Sequence, residues 1–277
     1  CKMFADTCRA GIPCDSEGVN YLMIGNPGVG KSTILNGIAQ KVLFQSGVNI
    51  GRGLTEVLQA ETVGTTTYMD TPGLADIDLR KRAASAIEKA LKRGGSFKIF
   101  FVVTLESGRV RPEDTTTMQL VLDAAPIKDY AVIVNKLESE EAKILRGNED
   151  GAREQVCKGL MKALPKKTSH FYFAARKRNL AGKKNVVSKL SNHLRRFIAN
   201  APSVRFGSRD VRHIEADRFE ELSERYEARI QRIQEENRHL KRQQEETQRK
   251  HMAMRRQLEA DNRRIRRRFD ETHHGKR

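Results

Sequence analysis

The stretch YLMIGNPGVGKSTILNGIAQ, residues 21–40, decides the fold of the N-terminal part of this chain. The apolar run YLMI is followed by GNPGVGKS (25–32), which matches the pattern G-x-x-x-x-G-K-[ST], and then by a stretch of helical character. Glycines let the backbone approach oxygen atoms closely. N–H groups at the start of the following helix would then form an anion site. The stretch therefore predicts a phosphate-binding loop.

The loop residues have separate predicted roles. Lys31 is expected to reach the β- and γ-phosphates, and the Ser32 hydroxyl is expected to bind Mg²⁺. A chance match is the alternative interpretation, and the strand before the loop and the helix after it argue against one. The predicted cofactor-binding positions in this segment are Gly25, Asn26, Pro27, Gly28, Val29, Gly30, Lys31, Ser32 and Thr33.

A second motif, DTPG at 70–73, follows another apolar strand. Asp70 is placed as a metal-associated carboxylate, and the backbone N–H of Gly73 is placed to contact the γ-phosphate. An ordinary turn at the end of a strand would give the same four letters. The phosphate loop 39 residues earlier makes the functional interpretation the stronger one.

The segment between the two motifs contains a candidate switch residue. A nucleotide switch requires a threonine hydroxyl that closes on Mg²⁺ when the γ-phosphate is present. Thr55 is our candidate, and the glycine-rich stretch 46–53 before it favours mobility. Thr62 and Thr65–Thr67 are competing candidates. We therefore predict Lys31, Thr55 and Gly73 as catalytic residues, and Ser32, Thr55 and Asp70 as metal ligands.

A fourth motif, NKLE at 135–138, follows the apolar run YAVIV. Proteins specific for guanine carry N-K-x-D at such a place, so Asn135 and Lys136 are expected to hold a base. Glu138 stands where an aspartate is usual, and its extra methylene either reaches the edge of the guanine or misses it. A guanine nucleotide is favoured, and an adenine nucleotide stays open. A turn at Ala174 and Ala175 is a weaker candidate for backbone contact with the base.

Short apolar runs alternate with helical stretches before Pro202. This alternation predicts an α/β fold of the P-loop NTPase type, in three layers with a mostly parallel sheet. The predicted strands are 21–25, 65–70, 98–104, 130–136 and 170–175, and the predicted helices are 31–44, 79–92, 114–124, 139–164 and 185–199. We divide the chain into an N-terminal extension (1–17), a G domain (18–202) and a coiled coil (203–277). A chain that ends at Pro202 is expected to fold and to bind nucleotide.

The C-terminal region has the pattern of a long helix. A heptad register from Phe219 places apolar residues at eight of fourteen seam positions, which favours a coiled coil. A single solvated helix and partial disorder are the alternatives. Residues 249–277 contain 11 basic and 4 acidic residues, so this end suits an acidic membrane surface or nucleic acid. It would equally serve as the charged end of a coiled coil.

Composition excludes several classes of protein. The chain has 277 residues, a formal net charge of +17 and no Trp, which excludes collagen and a disulfide-rich miniprotein. Its apolar runs fall far short of the roughly 20 residues that span a bilayer. The four cysteines, Cys1, Cys8, Cys14 and Cys157, are scattered and favour reduced thiols in a cytoplasmic protein. A peripheral position at a membrane or cytoskeletal structure stays open.

The motifs GNPGVGKST, GLT (53–55), DTPGL (70–74) and NKLE together resemble a GTPase of the translation-factor-related class. The segment 100–121, which includes GRVRPED, is similar to the septin-like branch that contains the immunity-associated (avirulence-induced) GTPases and the chloroplast import receptors. The resemblance covers residues 18–200. It implies binding of GTP and GDP with Mg²⁺, slow hydrolysis, and dimerisation controlled by the nucleotide.

Leu74 departs from Ras-like enzymes, which place a water-orienting Gln after this motif. Arg109 or Arg111 of a second subunit is a candidate source of the missing group. The leading hypothesis is a slow GTPase switch that assembles into a homo-oligomer through its G domain and coiled coil and has further protein partners. A nucleotide-bound scaffold without turnover and an ATPase are the alternatives.

Overall fold

A computed structural model describes residues 18–47, 54–162, 164–180 and 182–274. The predicted N-terminal extension lies outside the described residues. So do residues 48–53 of the glycine-rich stretch and the side chains of the basic end beyond residue 264.

The described part of the chain contains a mostly parallel sheet. Its strands are β1 (Val19–Ile24), β2 (Gln59–Val63), β3 (Thr66–Asp70), β4 (Gly95–Glu106), β5 (Arg109–Val110), β6 (Ala131–Leu137), β7 (Phe171–Ala175) and β8 (Val204–Phe206). Strands follow the order β2-β3-β1-β4-β6-β7. β2 pairs antiparallel with β3, and the short β5 and β8 pair antiparallel with β4. The remaining pairs are parallel, so the carboxyl ends of β1, β3, β4, β6 and β7 lie at one edge.

Helices cover both faces of this sheet. They are α1 (Lys31–Ala39), α2 (Arg80–Leu91), α3 (Pro112–Ala124), α4 (Ser139–Gly147), α5 (Ala152–Met161), α6 (Asn192–Ala199) and α7 (Phe219–His274). Alternate residues of β1 point to opposite faces. Leu22 packs in the cluster that contains α2, α3 and α5, while Met23 packs in the cluster that contains α1 and α6. The predicted three-layer fold is confirmed.

Several element boundaries differ from those predicted. β2 was not expected, because QAETV is polar and mostly exposed at the edge of the sheet. α1 ends at Ala39, where Gln40 adopts a left-handed conformation. The predicted helix 139–164 is two helices, because Asn148 and Gly151 both have positive φ angles. The last predicted helix of this part begins at Asn192 rather than at 185.

The compact unit that contains the sheet continues past the boundary predicted at Pro202 and ends at Tyr226. β8 adds to the sheet, and the segment that follows contributes Val211, Ile214, Phe219, Leu222 and Tyr226 to the core. Phe219 and Tyr226 belong to the predicted coiled-coil seam. Here they pack within the unit, because heptad spacing describes an apolar stripe whatever surface covers it.

The second unit, from Glu227, is the continuation of helix α7. Its seam residues Leu240, Met254 and Leu258 are exposed in the single chain. Within the part of the chain that the structure describes, no helix is both long and apolar enough to cross a membrane.

Candidate nucleotide-binding site

The phosphate loop lies between the end of β1 at Ile24 and the start of α1 at Lys31. Gly28 and Gly30 have φ angles of +79° and +101°, in the region that favours glycine. A Cβ at Gly30 would lie 2.6 Å from Nδ2 of Asn135. Glycine is thus required here both by the backbone conformation and by the approach of another predicted site residue.

Lys31 is buried at the centre of this loop. Its ammonium donates hydrogen bonds to the carbonyl oxygens of Gly25 (2.7 Å) and Asn26 (3.2 Å). Burial lowers the pKa of Lys31, and the nearby carboxylates of Asp70 and Asp114 offset part of this shift. A buried ammonium held by neutral carbonyls is favourably placed to receive an anion at the loop.

Asp70 connects the loop to two other predicted residues. The hydroxyls of Ser32 and Thr55 donate to its Oδ2 at 2.6 Å and 3.0 Å. The carboxyl group is fully buried, and its Oδ1 has no hydrogen-bond partner among the described residues. Burial raises the pKa of Asp70, and the charge of Lys31 offsets part of this shift. The three predicted metal ligands therefore lie together, and the other carboxylate oxygen of Asp70 is unsatisfied among the described residues.

The structure also separates the competing threonines. Thr55 lines the same cavity as the loop. Thr62 and Thr67 instead form a hydrogen bond with each other across β2 and β3 at 3.0 Å. Thr55 is thus the candidate switch residue that the fold brings to Asp70.

Gly73 lies directly against the phosphate loop. A Cβ at this position would lie 2.3 Å from Cδ and 2.5 Å from the nitrogen of Pro27. Any side chain would therefore push the two segments apart. Leu74, the next residue, is fully buried in the core, so it presents no group to a bound water.

The NKLE motif is divided between two environments. Asn135 and Lys136 donate to the carbonyl oxygens of Val29 (2.8 Å) and Gly28 (2.5 Å), which ties them to the phosphate loop. Glu138 is instead the N-cap of α4 and accepts a hydrogen bond from Arg176 at 2.7 Å. Burial and the neighbouring Arg176 lower the pKa of Lys136.

The side chain of Asn26 belongs to a buried network that the sequence did not predict. Its Nδ2 donates to Asp114 at 2.7 Å, and its Oδ1 accepts from Thr117 and from the backbone N–H of Ala75. Asp114 also accepts from the backbone N–H of Thr104. Asn26 therefore connects the phosphate loop to α3 and to the segment after DTPG. No local sequence motif predicts the role of Asp114, because its contacts form only when three distant segments come together in the fold.

These segments surround a cavity of about 810 Å³ at the carboxyl edge of the sheet. Predicted residues that line it are Pro27, Gly28, Gly30, Lys31, Ser32, Thr33, Thr55, Gly73, Asn135, Lys136, Ala174 and Ala175. Predicted residues that do not line it are Gly25, Asn26, Val29, Asp70 and Glu138. The sequence analysis did not identify the cationic lining residues Arg176, Lys177 and Lys183. A run of basic residues directly after β7 is the signal that could have indicated them. Arg111 of the same chain also lines the cavity.

Comparison with known proteins gives a match to one protein family. The family model described as 50S ribosome-binding GTPase matches residues 20–136. These residues include the phosphate loop, DTPG and the first two residues of NKLE. No curated protein sequence shows significant similarity to the chain.

Several solved structures are distantly similar. Toc33 from Arabidopsis thaliana in complex with GDP and Mg²⁺ aligns with 58% of this chain and 72% of its own, at 17% identity and a TM-score of 0.40. A variant of Era from Aquifex aeolicus bound to GDP·AlF4⁻ aligns with 70% of this chain and 62% of its own, at 18% identity and a TM-score of 0.41. A variant of NFeoB from S. thermophilus bound to GDP·AlF4⁻ aligns with 57% of each chain, at 15% identity and a TM-score of 0.35.

This chain thus spans less than two thirds of the Era and NFeoB structures. The family match, the strand order and the loop between β1 and α1 agree: residues 20–136 are similar to a GTPase domain, and the sheet and helices have the fold of the P-loop NTPases.

Proposed function

We propose that this protein binds GTP and GDP together with Mg²⁺ and hydrolyses GTP slowly, so that its nucleotide state controls assembly. The observation that carries the proposal is the position of Lys31, buried in a glycine loop at the N-terminus of α1 and lining a large cavity. Free N–H groups at a helix N-terminus and an adjacent ammonium are the groups that bind a polyphosphate.

The residues around Asp70 fit a magnesium ion. Mg²⁺ prefers oxygen ligands and is held by few protein groups together with phosphate oxygens. Ser32, Thr55 and Asp70 supply two hydroxyls and a carboxylate, and Oδ1 of Asp70 lacks a partner among the described residues. When bound, the ion would neutralise charge on the phosphates.

The chain's own residues support binding and orientation more than rapid chemistry. The N–H groups of the loop would bind the phosphates, and Gly73 would bring its backbone to the terminal one. Leu74 is buried and cannot orient a water, so we expect slow turnover. Arg111 lines the cavity of its own subunit, which makes it a source of positive charge that needs no partner.

The finer family assignment rests on the motif resemblance described above. We place the domain in the septin-like branch, near the immunity-associated GTPases, because GRVRPED leads from β4 into α3. Homo-oligomerisation through α7 is supported by the exposed seam residues Leu240, Met254 and Leu258. A second copy that packed against this stripe would bury them.

Nucleotide binding by the purified full chain tests the proposal. We expect GTP and GDP to bind in the presence of Mg²⁺, with ATP at least tenfold weaker, and Lys31→Ala to abolish binding. Release and chromatography of the nucleotide that copurifies from cells gives an independent identification. Absence of measurable affinity for either guanine nucleotide would refute the proposal, and preference for ATP would favour the ATPase alternative.

Turnover and assembly are tested separately. Multiple-turnover phosphate release that is lost in Lys31→Ala supports a GTPase, whereas binding without release supports a nucleotide-bound scaffold. Molar mass in solution, measured with GDP and with a non-hydrolysable GTP analogue, should differ if the nucleotide controls assembly. An equal mass in both states would contradict the switch and leave the binding function intact.

A further inference from the structure

Glu138 is engaged on two sides and lies away from the cavity. Its carboxylate accepts a hydrogen bond from Nη1 of Arg176 at 2.7 Å. It also caps α4: its side chain accepts from the backbone N–H of Glu141, and the Glu141 side chain returns a bond to the N–H of Glu138. Asn135 and Lys136 of the same motif reach the phosphate loop, but Glu138 does not line the cavity.

Arg176 is fixed beside this motif and does line the cavity. Its backbone N–H donates to the carbonyl of Leu137 at 2.8 Å, which continues the pairing of Leu137 with Ala175 in β6 and β7. This backbone bond holds the main chain of Arg176 beside the end of NKLE, and the ion pair with Glu138 places the guanidinium there. A guanidinium carries five N–H donors and no acceptor.

The two groups have opposite preferences for a purine base. Guanine presents donors at N1 and at its 2-amino group, which a carboxylate accepts and a guanidinium repels. Xanthine carries a carbonyl oxygen at the 2-position, which a guanidinium can donate to. An arginine that pairs with the carboxylate and also lines the cavity therefore reduces the preference for guanine over xanthine.

We propose that Arg176 determines base selectivity in this protein, by holding the Glu138 carboxylate away from the base and placing a donor at the cavity. The inference rests on the proposed nucleotide binding and deepens it, since it predicts that xanthosine triphosphate is accepted beside GTP.

The geometry also sets the size of the effect. An exposed ion pair of this kind changes the equilibrium constant between the paired and the free carboxylate by up to about fivefold. Loss of a hydrogen bond to a ligand changes the dissociation constant of that ligand by a similar factor. Removing Arg176 frees the carboxylate for GTP and removes the donor to xanthosine triphosphate. The two contributions act in the same direction on the ratio of affinities, which should change by about tenfold.

The test measures dissociation constants for GTP and xanthosine triphosphate with Mg²⁺ at constant pH in the full chain. The wild type should bind the two within about tenfold of each other. Arg176→Ala should raise the preference for GTP by about tenfold, and Arg178→Ala is the matched control, because Arg178 is exposed nearby and does not line the cavity. In a Glu138→Gln background, Arg176→Ala should no longer improve GTP binding.

The outcomes separate this inference from the function on which it rests. A wild type that binds GTP, with Arg176→Ala and Arg178→Ala giving the same ratio, overturns the role of Arg176 and leaves the GTPase proposal standing. A wild type that binds neither nucleotide overturns both. Improvement of GTP binding that persists in the Glu138→Gln background would show that Arg176 acts without Glu138, which also contradicts the proposal.

Discussion

Phe219, at the start of α7, is a core residue of the unit that contains the sheet, although its spacing is that of a coiled-coil seam. Its side chain is 2% exposed, and the guanidinium of Arg80 lies 4.3 Å from the centre of its ring. Arg80 in turn donates to the carbonyl of Leu74, at the end of the DTPGL segment, and to Glu220. Replacement of Phe219 would therefore open a cavity and remove a support of α2.

The expected size of the effect follows from this burial. Truncation of a buried phenylalanine to alanine costs about 3–5 kcal/mol, and loss of the cation–π contact adds about 0.5–1 kcal/mol at a partly exposed site. We expect Phe219→Ala to lower the free energy of unfolding by about 4 kcal/mol. For a unit of about 200 residues this corresponds to a fall in melting temperature of roughly 8–16 °C.

Urea denaturation monitored by circular dichroism measures this change directly. Met252→Ala is the matched control, because Met252 lies on the same helix, is 55% exposed and falls outside the heptad seam. Its effect should stay within about 0.5 kcal/mol. Equal small effects of the two substitutions would refute the assignment of Phe219 to the core.

The same reasoning changes the expected outcome of truncation. A chain that ends at Pro202 loses β8 and the buried residues Ile214, Phe219, Leu222 and Tyr226, and leaves their partners on α2 and α3 uncovered. We expect that chain to be unfolded or aggregated, and a chain that ends at Gln234 to fold and to bind nucleotide. Cooperative unfolding of the shorter chain would contradict this view of the core.

Three further outcomes are expected at the site. Lys31→Met should abolish phosphate binding, measured by titration calorimetry, with little loss of stability because burial of the ammonium disfavours its charge. Burial raises the pKa of Asp70, so the native state binds this proton more strongly than the unfolded state does. The free energy of unfolding of the nucleotide-free wild type, measured relative to that of Asp70→Asn, should therefore fall as the pH rises from about 4 towards 7. Gly73→Ala should weaken GTP binding more than GDP binding, since its Cβ would lie 2.3 Å from Pro27 and displace the segment that approaches the terminal phosphate.

The parts of the site that could be predicted are those whose spacing along the chain is itself the chemical signal. The phosphate loop needs glycines, a lysine and a hydroxyl at fixed positions, so a single segment carries the information. Asp70 and Asn135 follow apolar strands, and parallel strands bring their carboxyl ends to one edge. The fold then places these groups around one cavity without further information.

The parts that could not be predicted depend on pairs of residues far apart in the chain. The bond between Asn26 and Asp114 joins positions 88 residues apart, and the pair of Glu138 and Arg176 joins positions 38 residues apart. In both pairs, the sequence around one residue contains no pattern that predicts its partner. The heptad stripe misled for a related reason: Phe219 and Tyr226 have the spacing of a helix seam, and spacing does not state which surface covers the seam.

Lys31 and Asp70 explain why a stable fold keeps an unfavourable arrangement at its centre. Burial shifts both pKa values against the charged form, and one oxygen of Asp70 lacks a hydrogen-bond partner among the described residues. An isolated buried charge destabilises the folded state. A phosphate beside Lys31 and a cation beside Asp70 would each stabilise the charged form of its neighbour. The free-energy cost of burying these two charges in the free protein would then be relieved when the ligand binds, which increases the affinity for the ligand. Ligand that binds only the native state stabilises it by about 2.7 kcal/mol at one hundred times its dissociation constant, and this linkage couples the fold of the domain to the presence of nucleotide.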